Sequence, residues 1–255
     1  VITSKKFLDK IPLEDLSAIE DMFVFLENVK TSISWKEKIR GAWLSILPSR
    51  IVMKKLAISS DLNQTAVILF TSGTESLPKA VPLTHLQILA NQKGGMACAD
   101  LGPEESFYSV LPPFHSFGFS LTGILPLLFG FKVFYGPDPT DSRQMALDIF
   151  QSQASMFCSA PSFVRSLLAE ATEEQLKPLK FLLVGAERMP PDLLGMIKEK
   201  LEHVSIVEGY GLTECSPIVT LQDFYGEKKG VGKPIGDLVL LIVDPVSLDP
   251  LPQGA

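Results

Sequence analysis

The sequence predicts an α/β fold with largely parallel sheets flanked by helices, and three observations carry that expectation. From Phe107 onward, short apolar runs alternate with segments of helical length. The short runs, such as Phe181-Leu182-Leu183-Val184, are apolar at nearly every position, the pattern of strands covered on both faces. Several are followed by loops rich in Gly, Pro or hydroxyl residues, where open parallel sheets bind their ligands. At 255 residues, 46% hydrophobic and 20% charged, the chain can form one large domain or two small ones.

Taken in order, Val1-Ile2-Thr3-Ser4 reads as the end of a strand, so the chain is expected to begin inside a domain. Leu13 to Asp21 predicts a short helix, and Met22 to Leu26 a strand. Ser34 to Leu47 carries Trp35, Ile39, Trp43 and Leu47 at four-residue spacing. That is an amphipathic helix, which Pro48 ends. Arg50, Lys54 and Lys55 stand between apolar residues. They read first as a solvated helix face, with lipid headgroups or an acidic partner as the other reading. Asp61 to Gln64 is a turn, Ala66 to Phe70 a strand read as buried, and Ala80 to Leu83 a second strand. Thr84 and Gln87 fit a capping box. The helix they open is expected to run to about Lys93 and to be closed by Gly94-Gly95.

Strands then follow at Phe107–Leu111, Phe131–Tyr135, Met156–Cys158, Phe181–Val184 and Val204–Val207. Helices lie between and after them at about Phe117–Leu128, Gln144–Phe150, Ser162–Glu170 and Asp192–Leu201. A last strand is expected at Leu238 to Val243, before a Pro/Gly-rich end that stops in a loop. Leu111 to Phe131 contains no charged residue and mimics a membrane span. Pro112, Pro113 and Pro126 break it, which argues for a loop and a core helix instead.

A net charge of −6 argues against a dominant nucleic-acid role, because phosphate-neutralising proteins are basic. Cys98, Cys158 and Cys215 show no metal-ligand spacing and read as reduced structural thiols. No signal peptide is recognisable at the start.

The stretch Phe70-Thr71-Ser72-Gly73-Thr74-Glu75-Ser76-Leu77-Pro78-Lys79-Ala80-Val81 carries the chemistry. Small residues let successive backbone N–H groups converge on one anion. The hydroxyls add donors, and Lys79 adds a point charge suited to a polyphosphate. A P-loop needs a helix directly after its Lys, whereas here a strand follows. A plain Ser/Thr-rich turn is the alternative. Three other strand ends are unusual: Pro112-Pro113-Phe114-His115-Ser116-Phe117-Gly118, Gly185-Ala186-Glu187, and Glu208-Gly209-Tyr210-Gly211-Leu212-Thr213-Glu214. Tyr210 between two glycines suits stacking on a purine, or simply covers the sheet end. Glu214 beside Thr213 offers hard oxygens to Mg²⁺, or a carboxylate to a helix N-terminus. His115 can equally be an ordinary hydrogen-bonded histidine. No G-x-S-x-G is present.

The Thr71–Ala80 loop resembles the phosphate loop of the adenylate-forming superfamily, the acyl-CoA synthetases and their relatives. Its usual form is [ST]-[ST]-G-[ST]-[TE]-G-x-P-K-G, with Ser76 and Ala80 here replacing two glycines. The four loops also follow the order of that family. The resemblance implies a truncated N-terminal (large) domain of an adenylate-forming enzyme, with residues 1–60 as its lead-in and 230–255 as the start of a following β subdomain. It implies ATP and Mg²⁺ as cofactors. Thr71, Ser72, Gly73, Thr74, Glu75 and Lys79 would hold phosphate, and Gly185, Ala186 and Glu187 would lie beside the adenine. Gly209, Tyr210, Gly211, Thr213 and Glu214 would complete the nucleotide site. Thr71 and Glu214 would ligate the metal, and His115 would border the substrate carboxylate. Lys79, His115 and Glu214 are the expected catalytic residues.

Within the superfamily, Thr3–Asp9, Phe25–Val29, Ile68–Gly73, Leu111–Gly118 and Glu208–Cys215 look most like one bifunctional family. It is the 2-acylglycerophosphoethanolamine acyltransferase/acyl-[acyl-carrier-protein] synthetases, in their synthetase half. That resemblance implies a fatty acid substrate and acyl carrier protein, or CoA, as acceptor. It implies a lysophospholipid handled by an acyltransferase domain outside this chain, and the cytoplasmic face of the bacterial inner membrane for the full protein. The acyltransferase signature H-x-x-x-x-D is absent, because Ala90, Ser120 and Glu208 stand five residues after His85, His115 and His203. A soluble core, inactive without the family's C-terminal catalytic Lys, is the expectation. A long-chain fatty acid–CoA ligase and a non-catalytic lipid- or partner-binding module are the alternatives.

Overall fold

Two units divide the chain, residues 1–60 and 61–255. The computed structural model describes residues 2–9, 21–56, 61–71, 77–99, 101–226 and 228–252. The helix expected from Leu13 falls, apart from Asp21, outside them.

In the first unit β1 (Ile2–Thr3) is followed by α1 (Lys5–Leu8), then β2 (Val24–Phe25), α2 (Leu26–Ser32), α3 (Trp35–Ser45) and α4 (Ser49–Leu56). β1 and β2 pair in parallel. Ser34 caps α3: its hydroxyl accepts from Glu37 N, and the Glu37 carboxylate accepts from Ser34 N at 2.7 Å. Such a reciprocal cap satisfies two otherwise orphaned donors.

The second unit begins with a hairpin, β3 (Thr65–Thr71) and β4 (Lys79–Thr84), and α5 (His85–Ala99). Next come β5 (Ser106–Ser109) and α6 (Ser116–Gly118), which runs through a π-turn (Phe119–Ile124) into α7 (Leu125–Phe129). Then follow β6 (Lys132–Tyr135), α8 (Ser142–Ser152), β7 (Met156–Ser159), α9 (Pro161–Glu170) and α10 (Glu173–Leu176). The series ends with β8 (Phe181–Val184), α11 (Pro191–Lys200), β9 (Ser205–Gly211), a 3-10 turn (Thr213–Cys215), β10 (Ile218–Leu221) and β11 (Lys233–Pro234).

Seven strands form the main sheet in the order β11-β10-β9-β8-β7-β5-β6. β5 through β9 run parallel, and β10 and β11 add an antiparallel edge. The register explains the apolar runs. Tyr108, Phe157, Leu182 and Ile206 align across one face. They share a core with Met145, Val164, Leu167, Leu193 and Ile197 of α8, α9 and α11. Phe107, Met156, Cys158, Phe181, Leu183 and Val207 point the other way and pack with Ala99, Leu121 and Leu125. Both faces are covered, so β5, β7 and β8 are buried throughout. Each large apolar side chain so buried contributes about 1.5–3 kcal/mol.

Four expectations need correction. The strand expected as buried at Ala66 to Phe70 has one open face, with Ile68 54% and Phe70 68% exposed. It belongs to a separate two-stranded sheet, and only the Leu69 side meets a core. Gly94-Gly95 do not end α5, which continues to Ala99. A Cβ on Gly94 would stand 3.4 Å from Gly236 N, and one on Gly95 3.2 Å from Ile218 Cδ1. Gly95 therefore serves close approach of the helix, at about 1 kcal/mol of helix propensity, whereas a side chain at Gly94 would make only an ordinary contact. Leu238 to Val243 is not a strand. Only an isolated Val243–Pro250 bridge occurs there, and without a neighbouring ladder an apolar run has nothing to pair with. The helix expected at about Phe117–Leu128 forms, from Ser116 to Phe129, but is not α-helical throughout: Phe119–Ile124 is a π-turn, in which Thr122 Oγ1 donates to Gly118 O at 3.0 Å. Among the described residues no helix is long and apolar enough to cross a membrane.

Candidate active site

The Ser/Thr-Lys loop spans the open end of the β3–β4 hairpin, where Thr71 pairs with Lys79. Ser72, Gly73, Thr74 and Glu75 lie outside the described residues. Thr71 is half-buried and Lys79 exposed. Leu69, Val81, Leu83 and Ile88 make a small core beneath the hairpin, with Phe119 and Ile124 of the π-turn against it. That core anchors the strands that carry Thr71 and Lys79.

β4 touches the 3-10 turn Thr213–Cys215, so Lys79 and Glu214 belong to contacting elements. α5 holds that turn from the side. Asn91 Nδ2 donates to Cys215 O at 3.0 Å and to Ile218 O at 2.7 Å, and Asn91 Oδ1 accepts from Ile218 N at 3.3 Å. Thr213 Oγ1 donates to Ser116 Oγ at 3.1 Å, joining the turn to the loop after β5. Gly211 is required at the corner, since a Cβ there would lie 2.3 Å from Pro217 O.

His115 is the N-cap of α6, and its Nδ1 accepts from Phe117 N at 3.2 Å. An acceptor at Nδ1 puts the neutral ring's proton on Nε2, which is then a donor for a ligand oxygen. Ala186, the second residue after β8, holds a left-handed φ of 67°, a strain that the surroundings must impose. Burial raises the Glu208 carboxyl above its ordinary value, and Glu208 N donates to Gln222 Oε1 at 3.0 Å.

One apolar pocket gathers His115 and the strand-end residues, but not Thr71, Lys79, Thr213 or Glu214. His115, Ser116, Gly185, Ala186, Gly209, Tyr210 and Gly211 line it at the carboxyl ends of the strands. Phe107, Leu183 and Val207 extend its wall toward the strand middles, with Met96 and Ala99 of α5, Leu101 and Leu121. The pocket is thus polar-rimmed by sequence and hydrocarbon within. Glu187 is not brought in. Its carboxylate accepts from Ser162 N at 3.2 Å and Ser162 Oγ at 2.9 Å, at the start of α9. Only its backbone remains available to a ligand. Among the described residues no group of three His, Cys, Asp or Glu side chains can hold a metal.

Asn91 was not among the residues singled out from the sequence, and Ser116 stood out only as part of the Pro112–Gly118 stretch. Asn91 carried one readable signal: it shares a helix face with apolar Ile88 and Gly95, at spacings of three and four.

Fold and loops together define an α/β protein with a ligand crevice at the carboxyl edge of a mainly parallel sheet, as such sheets require. Residues 8–255 match the AMP-binding enzyme family, and the chain belongs to it. It is 27% identical over 233 residues to the long-chain-fatty-acid–CoA ligase of Bacillus subtilis (strain 168), covering 84% of this chain and 40% of that protein. The medium-chain fatty-acid–CoA ligase of Escherichia coli (strain K12) is 29% identical over 205 residues, covering 73% of this chain and 34% of its own length. The chain therefore spans about two fifths or less of these relatives. The fold also matches the crystal structure of ATP-bound MatB from Rhodopseudomonas palustris, at a TM-score of 0.70, 24% identity, and coverage of 78% and 39%.

Proposed function

We propose that this chain is the nucleotide- and acyl-binding part of an acid–thiol ligase that activates a fatty acid as its adenylate. The observation that carries this reading is the single pocket that joins Tyr210 and the strand-end glycines to a hydrocarbon wall. A purine can lie on Tyr210 at the rim, and an alkyl chain can fill the wall made by Phe107, Leu183 and Val207. The Thr71–Lys79 loop would take the phosphates.

In the reaction the fatty-acid carboxylate oxygen attacks the α-phosphorus of ATP. The bond to the β-phosphate oxygen breaks, and pyrophosphate leaves. A pantetheine thiol then attacks the acyl carbonyl and AMP leaves. A carboxylate is already a nucleophile, so the protein's part is positioning and charge stabilisation. The His115 Nε2–H would donate to the substrate carboxylate, and Lys79 would neutralise phosphate charge. Mg²⁺ fits the donor set as an ion carried by the phosphates. It commonly takes only one or two protein oxygens, and Thr71 and Glu214 offer two. When bound it would supply charge neutralisation at the polyphosphate.

The bifunctional motifs favour acyl carrier protein as acceptor, within a lysophospholipid re-acylation system at the cytoplasmic face of the bacterial inner membrane. A second reading, CoA as acceptor, is favoured by the two CoA ligases among the relatives. The test is ATP–pyrophosphate exchange by the full gene product with a fatty-acid series, followed by thioester formation with carrier protein and with CoA. Fatty-acid-dependent exchange supports adenylation, and the thiol that accepts the acyl group decides between the two readings. No exchange with any fatty acid contradicts both.

A further inference from the structure

The first unit carries a surface that the nucleotide site does not use. α3 presents Trp35, Ile39 and Trp43 on one stripe, continued by Ile46, at 67%, 59%, 52% and 76% exposure. Leu44, on the side of the helix away from Trp35, is half-buried, and no residue of α3 is fully buried. Ile51 of α4 is also exposed.

Charge gathers at the same place. From Trp35 to Leu56 stand Lys36, Lys38, Arg40, Arg50, Lys54 and Lys55, all exposed, against a single acid, in a chain of net charge −6. That acid, Glu37, is occupied by the Ser34 cap. None of the six cations forms an ion pair among the described residues. Lys55 Nζ instead lies 4.9 Å from the centre of the Trp43 ring, which ties α4 to α3, and Lys36 Nζ lies 5.9 Å from that of Trp35.

We propose that α3 and α4 form a docking surface for an anionic phospholipid bilayer. Tryptophan prefers the boundary between headgroup and acyl chain. A helix with an apolar stripe and flanking Lys or Arg lies in that plane, its cations against lipid phosphates. The charge is spread over many flexible side chains, as suits a plane of repeated phosphates. Seated there, the unit would keep its partner unit near a membrane-soluble acyl substrate.

The chain supplies its own reporter, because its only two tryptophans are Trp35 and Trp43. Emission should shift to the blue when vesicles of phosphatidylglycerol and phosphatidylcholine are added, and brominated acyl chains should quench it. Pure phosphatidylcholine vesicles should bind at least about tenfold more weakly, as should Lys54→Glu/Lys55→Glu. High salt should release the unmodified protein, which tests the charge requirement without any variant. Equal response to neutral and anionic vesicles would overturn the proposal, as would no response. So would a shift produced only by an acidic carrier protein, or tryptophans already inaccessible to acrylamide in the free protein. None of these outcomes depends on ATP binding.

Discussion

The two ends of the main sheet are built from the same strands and treated in opposite ways. At the amino-terminal ends the starts of β5, β7, β8 and β9 are bonded in series. Ser155 Oγ accepts from Ser106 N at 2.9 Å, Lys180 N donates to Ser155 O at 2.7 Å, and Ser205 N donates to Lys180 O at 2.8 Å. Lys180 Nζ bonds one oxygen of the buried Glu105 carboxylate at 2.7 Å, while the other, Oε2, has no partner among the described residues. At the carboxyl ends the chain instead leaves glycines at 185, 209 and 211, a left-handed Ala186, and Tyr210 at 48% exposure. Ser159 Oγ, at the end of β7, is buried with no hydrogen-bond partner among the described residues. Polar groups that bond each other stabilise the fold. Exposed groups at the carboxyl ends, Ala186, Tyr210 and Gly211, are what a ligand can reach.

Lys180→Met breaks this comparison most severely at the closed end. It leaves the buried Glu105 carboxylate without its cation, and an unsatisfied buried acceptor costs about 1–3 kcal/mol. Denaturant unfolding should show that loss, while ATP affinity stays unchanged. A changed affinity would mean the two ends are coupled.

Asn91→Leu acts at the open end. It removes three hydrogen bonds that hold the turn carrying Glu214. Each such bond is worth about 0.5–1.5 kcal/mol, so ATP affinity should fall several-fold or more with the fold retained by circular dichroism. Unchanged affinity would show that β4 and the Thr213–Ser116 bond suffice to hold the turn.

The smallest effect is expected at Glu208. Burial raises its carboxyl above the ordinary value, so the folded chain holds that proton more tightly than the unfolded one. The group's contribution is complete at pH below the ordinary value and is lost as pH rises past the raised one. Glu208→Gln should therefore raise the melting temperature at neutral pH and leave it nearly unchanged near pH 4. Equal effects at both pH values would assign the change to packing instead.

Much of this was legible in the sequence where the local pattern and the environment agree. The runs at Met156–Cys158 and Phe181–Val184 are apolar because both sides of the sheet are covered, and they appear as central strands. Thr84 and Gln87 cap α5 as their spacing requires, with Gln87 N donating to Thr84 Oγ1 at 3.2 Å. Legibility failed where distant residues decide. Gly94-Gly95 have the composition of a helix end, yet Ile218 sets the role of Gly95. The half-open β3 reads as buried because its neighbours in the chain carry no sign of which face is covered. The pocket lining at Met96 and Leu101 was invisible for the same reason, since only the sheet brings α5 beside Phe107. His115, Gly185 and Tyr210 stood out because Gly, Pro and His at strand ends are rarely needed for packing.

The central claim is that the open end of the sheet is a nucleotide site with Lys79 at the phosphates. Calorimetric titration of Mg·ATP into the protein and into Lys79→Ala tests it most directly. A charge-assisted hydrogen bond is worth about 1.5–3 kcal/mol, so the variant should bind roughly 10- to 100-fold more weakly than the unmodified chain. Equal affinity for the two, or no heat of binding from the unmodified protein, would contradict it.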